Sequence, residues 1–76
     1  MYSKEESLFL NKLGEKLKKL RLEKDLSQEA LAFNAGLDRT YYSSVERGER
    51  NISILNLRKI ANALDITVGE ITNGIK

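Results

Sequence analysis

An all-α fold of five short helices is what the sequence predicts, and three observations carry the prediction. Apolar residues recur at helical spacing along the chain, no stretch sustains the alternation of a strand, and four capping residues mark where new helices begin. No proline- or glycine-rich linker and no internal repeat divides the 76 residues, so residues 1–76 are expected to form one compact domain.

Helix one is predicted from Lys4 or Glu5 to about Lys24, with Leu10, Leu13, Leu17 and Leu20 forming one apolar stripe. The stripe is too short for a coiled coil, so it faces the domain's own core. Gly14 weakens this helix modestly, and the polar stretch Met1 to Ser7 is expected to fray. Ser27 caps helix two, from Gln28 to about Asn34, which ends in the turn Ala35-Gly36-Leu37. Asp38 caps helix three, from Arg39 to about Arg47, which stops at Gly48; Leu37, Tyr42 and Val45 are predicted to face inward. Ser53 opens helix four, carrying Leu55, Leu57, Ile60, Ala61 and Leu64. Thr67-Val68-Gly69-Glu70 has the form of a capping box opening a short fifth helix.

Composition excludes most chemistry. The chain has no cysteine and no histidine, hence no thiolate nucleophile, imidazole base, disulfide or zinc site of the usual kind. Its serines lack a histidine partner and it has no phosphate-binding glycine loop, so no catalytic residue, metal, cofactor or small-molecule ligand is expected, and the protein is read as a non-enzyme. The longest apolar run is Ala30-Leu31-Ala32-Phe33, against roughly 20 residues for a membrane span. A cytoplasmic location is expected. A core of this size supplies only about 3–5 kcal/mol, so a partner subunit is also expected.

The net charge of +2 is unevenly placed. Lys12, Lys16, Lys18, Lys19, Arg21 and Lys24 crowd one segment, and Arg39, Arg47, Arg50, Arg58 and Lys59 follow. On helix one, Lys12, Lys16 and Lys19 share a face opposite the leucines. That pattern fits a solvated face attracting phosphates better than a membrane anchor, because the leucine stripe lacks an aromatic belt and is needed by the fold.

Residues 28–47 are the informative stretch. Two short helices joined by a glycine-containing turn have the layout of a helix-turn-helix, whose second helix lies in the DNA major groove. Helical geometry is expected to put Thr40, Ser43, Ser44 and Arg47 on one outward face with Arg39 at the N-terminal end, all of them short or basic hydrogen-bonding residues. Arginine can bond guanine O6 and N7 together, and threonine can offer a hydroxyl to a base edge and a methyl to thymine.

Residues 11–72 resemble the phage repressor-like (XRE) helix-turn-helix family, through Arg21, Ser27-Gln28-Glu29-Ala30-Leu31-Ala32, Gly36, Glu46, Gly48 and Ile60-Ala61-Asn62-Ala63-Leu64. The run from Leu37 to Ser53, with Asp38-Arg39-Thr40-Tyr41 followed by Arg50-Asn51-Ile52, is similar to the controller proteins of type II restriction-modification systems. The resemblance implies a lambda repressor-like, all-helical homodimer acting as a sequence-specific transcription regulator. It would bind double-stranded DNA at a near-palindromic operator in the nucleoid, activating its own promoter at low concentration and repressing it at high concentration. RNA polymerase is the further partner that activation implies.

Residue by residue, the resemblance implies base readout by Arg39 and Thr40 with Ser43 close by, and Ser44 is added on helical position. Backbone contacts fall to Gln28, Tyr41, Arg47, Arg50 and Asn51. Arg21 and Glu46 match a buried ion pair tying helix one to the recognition helix. Dimerisation is expected through Leu55, Ile66, Val68 and Ile71, which exceed the needs of one small core.

Two positions depart from the controller pattern. Tyr42 stands where isoleucine is usual, so either its pocket is larger or its ring leans to the edge with the hydroxyl in water. Ser44 stands where glycine or asparagine is usual, and an altered sequence preference is expected there. A phage or prophage repressor and an antitoxin remain the alternative readings. Antitoxins usually append a toxin-binding segment, and only five residues follow Ile71.

Overall fold

In a computed structural model describing residues 1–76, five side chains set the helix starts. Ser3, Ser27, Asp38, Ser53 and Thr67 each accept a hydrogen bond from the backbone amide three residues on. Each bond satisfies one of the free donors of a first turn. The helices that follow are α1 Lys4–Glu23, α2 Gln28–Ala35, α3 Arg39–Glu46, α4 Ile54–Leu64 and α5 Val68–Thr72. The capping box expected at Thr67 and Glu70 is present. A second one joins Ser3 and Glu6, so α1 begins at Lys4, within the Met1 to Ser7 stretch that was expected to fray, and its first turn is capped.

Gly36 ends α2 in the left-handed region at φ 70°, which permits the sharp turn into α3. The core joins all five helices. Leu13 and Leu17 of α1, Leu31, Ala32 and Ala35 of α2, and Tyr42 and Val45 of α3 pack with Leu57, Ile60, Ala61 and Leu64 of α4 and with Ile71 of α5. α2 packs on α3 and α4, while α1 packs on α3 and α5. Leu20, Leu26 and Leu37 close the edges of the cluster.

Ile71 is a correction. It has no exposed surface and belongs to this core, because it is the residue by which the short α5 docks onto the rest of the chain. It cannot also present itself to another subunit. Ile66 and Val68 are half-buried against the same cluster, whereas Leu55 is 66% exposed.

Gly14 has a role that its low helix propensity conceals. A Cβ there would lie 2.8 Å from the Glu46 carbonyl carbon and 2.9 Å from the Val45 oxygen. Only glycine lets α1 cross so close to the C-terminal end of α3.

Candidate nucleic-acid interface

The position of α3 is fixed from below by a buried polar cluster. Glu46, its side chain 3% exposed, receives four hydrogen bonds from three residues. Arg21, 8% exposed at its side chain, donates from Nε at 2.7 Å and Nη2 at 3.2 Å. The Tyr42 hydroxyl donates at 2.5 Å and the Gln28 amide at 3.0 Å. Arg21 Nη1 also reaches the Leu26 carbonyl at 2.7 Å, tying down the segment that leads into α2. No buried side-chain polar atom is left without a partner. That is the condition under which a buried ion pair is tolerated at all.

The expected Arg21–Glu46 pair is therefore present but larger than expected. The Tyr42 ring is fully buried and its hydroxyl sits on Glu46, so the alternative of a hydroxyl in water is overturned. The i,i+4 spacing of Tyr42 and Glu46 on one helix face was the signal available for this contact. Burial pushes the Glu46 carboxyl up, but the hydrogen bonds from Arg21, Tyr42 and Gln28 outweigh it and hold the group below its ordinary value of 4.5. Burial, together with the hydrogen bond to Glu46, raises the Tyr42 hydroxyl far above its ordinary 10.0.

Above this base lies the face that sequence assigns to DNA. Arg39 and Thr40 are exposed at the N-terminal end of α3. The Arg39 guanidinium lies 3.9 Å from Glu29 with both side chains more than half exposed, a pairing weak enough to be released to a stronger partner. Ser43, half-buried, donates its hydroxyl proton to Gln28 Oε1 at 2.9 Å. Gln28 thus bridges Glu46 and Ser43 and keeps one amide N–H uncommitted.

Ser44 is the second correction. It is 6% exposed and its hydroxyl donates to the Tyr41 carbonyl at 2.6 Å, so it points into the molecule and reads no base. With eight residues α3 has two turns, and Ser44 sits one position beyond the outward face defined by Thr40, Ser43 and Arg47.

The flanks supply positive charge and donors. Arg50 stacks over the Tyr41 ring, 5.5 Å from its centroid. The Tyr41 hydroxyl accepts from Asn56 Nδ2 at 3.2 Å and keeps its own proton to donate. This Asn56 contact had no local signal in sequence, since it joins α3 to α4. Arg47 is exposed and pairs with Glu49 at 3.1 Å, and Asn51 is exposed beside the start of α4. The structure brings Arg39, Thr40, Ser43, Tyr41, Arg47, Arg50 and Asn51 onto α3 and the loop after it. No group of three or more acidic, histidine or cysteine side chains is placed to hold a metal, and no helix is long and apolar enough to cross a membrane.

Comparison with known proteins agrees with this geometry. The Helix-turn-helix family matches residues 17–71. Control protein C.MunI of Mycoplasma sp is 56% identical over 66 residues, covering 86% of this chain and 89% of the relative. Control protein C.BamHI of Bacillus amyloliquefaciens is 50% identical over 54 residues, covering 70% of this chain and 67% of the relative. Among solved structures, the restriction-modification controller protein C.AhdI from Aeromonas hydrophila superposes with a TM-score of 0.81 at 55% identity, over 82% of this chain and 94% of that one. Buried clamp, exposed polar and basic face and these similarities lead to one conclusion: the chain belongs to the helix-turn-helix family, as a DNA-binding transcription regulator and not an enzyme, similar to the restriction-modification controller proteins.

Proposed function

We propose that the protein is the controller of a restriction-modification system, binding as a homodimer to a near-palindromic operator beside its own gene. The observation that carries this reading is similarity to controller proteins extending over more than four-fifths of the chain. Two copies of α3 enter successive major grooves about 34 Å apart. Arg39 reads guanine and Thr40 and Ser43 read neighbouring base edges, while Gln28, Tyr41, Arg47, Arg50 and Asn51 hold the phosphates. The subunits meet at the exposed Leu55, with Ile66 and Val68 at the rim of the contact. The dimer works on the nucleoid in the cytoplasm. It activates its promoter through RNA polymerase at low concentration and represses it at high concentration, delaying the endonuclease.

Footprinting and gel shifts on the DNA upstream of the gene test this directly. Arg39→Ala is expected to relax preference at one guanine, a loss of about 1–3 kcal/mol on the operator alone. Arg50→Ala should weaken binding to every sequence and reduce the salt slope by about 1. Equal losses on all sequences for both variants would refute the division of roles. An endonuclease or methyltransferase gene next to the footprint supports the controller reading; a toxin gene or a phage gene in its place refutes it.

A further inference from the structure

The hydrogen bonds beneath α3 run in one direction, and the direction reaches the surface. Glu46 is ionised and can only accept. It already accepts hydrogen bonds from Arg21 and Tyr42, so the Gln28 amide must turn its NH2 towards Glu46 Oε1, at 3.0 Å. The opposite orientation would set a carbonyl oxygen against a carboxylate. Gln28 Oε1 then faces Ser43, and an acceptor there obliges the Ser43 hydroxyl to donate, at 2.9 Å. A serine has one proton. Once it is committed to Gln28, the oxygen lone pairs are all that Ser43 can turn outward.

We infer that Ser43 acts as an acceptor-only reader, selecting a base that presents an exocyclic amino group in the major groove, adenine N6 or cytosine N4. A free serine hydroxyl serves either as donor or as acceptor and discriminates little, because it also satisfies guanine O6, guanine N7 or thymine O4. Here the buried carboxylate removes the donor option through Gln28. Gln28 is in this respect a positioning residue for recognition: its carboxamide transmits the polarity of Glu46 over two hydrogen bonds to the DNA-facing side. The inference rests on the proposed placement of α3 in the major groove.

The test measures binding of the full-length protein to footprinted operator duplexes by fluorescence anisotropy. Each half-site adenine is replaced in turn by purine, which lacks the N6 amino group, and each cytosine by 2-pyrimidinone, which lacks the N4 amino group. Guanines are replaced by 2-aminopurine, which lacks O6. At one position, deleting an amino group should weaken the wild type about 3- to 10-fold, as loss of one hydrogen bond does, and leave Ser43→Ala unaffected. Gln28→Met frees the Ser43 proton and should shrink that selectivity ratio towards 1, whatever it does to overall affinity; its folding is checked by thermal melting. Coupling of Ser43 to a carbonyl, through guanine O6, overturns the polarity while leaving base readout by Ser43 standing. Operator binding with no Ser43 coupling at any position overturns both. A Gln28→Met ratio equal to that of the wild type overturns the part assigned to Gln28.

Discussion

Tyr42 is the residue whose place in the fold differs most from what its type implies. A fully buried phenol is acceptable only because its hydroxyl meets a carboxylate that is itself neutralised by Arg21. Replacing Tyr42 with Phe keeps the ring and removes one of four bonds to Glu46, a loss of about 1.5–3 kcal/mol measurable by urea unfolding. The pH dependence follows from the sign of the Glu46 shift. Its folded value lies below the ordinary 4.5, so its contribution to stability is complete above that value and is lost as pH falls through the folded one. In Tyr42→Phe, with one donor fewer, the acid limb of a stability profile should move to higher pH. The Tyr42 hydroxyl is shifted the other way, so its contribution is present below pH 10.0 and is lost at more alkaline pH. The presence of Arg21 and Glu46 as a pair was legible in sequence by resemblance. Tyr42 as a further donor had only its i,i+4 spacing from Glu46 to mark it, and Gln28 had no local signal, because its membership of the cluster depends on how α2 and α3 dock.

At the scale of the element, caps made the helices readable. Four of the five N-caps could be named in sequence, and each accepts its expected amide. Ser3 was missed because the residues after it are polar and lack the apolar periodicity that draws attention to a helix start. Orientation was less readable than extent. A two-turn helix leaves the position of Ser44 ambiguous by one residue, and the five-residue α5 contributes a single anchor, Ile71, that sequence cannot tell from an interface residue. The α1–α3 crossing gives the sharpest element-level prediction. Propensity alone favours Gly14→Ala by about 1 kcal/mol. The backbone of Glu46 and Val45 occupies the space that the methyl needs, so net destabilisation of about 1–3 kcal/mol is expected instead. For a domain of this size, a thermal midpoint lower by at least about 4 °C would register it.

The Cα trace spans 31 by 25 by 21 Å and carries a single α3, whereas successive major grooves on one face of DNA lie roughly 34 Å apart. Under the proposed function, one copy reads one half-site. With Ile71 withdrawn to the core, the apolar surface left on α4 is Leu55 with its neighbour Ile54, each 66% exposed. Leu55→Asp should convert the protein to a monomer in analytical ultracentrifugation while leaving its helical circular dichroism intact. Its affinity for a full operator should fall to that for a half-site, and a dimer persisting in this variant would exclude the surface. The residues proposed to read bases are held in different ways. Arg39 and Thr40 stand clear of the core, so exchanging either leaves the scaffold as it is, whereas Ser43 is tethered through Gln28 to Glu46. On the proposed readout, new operator preferences are thus open to stepwise change at two positions, and the third can follow only when its support changes with it.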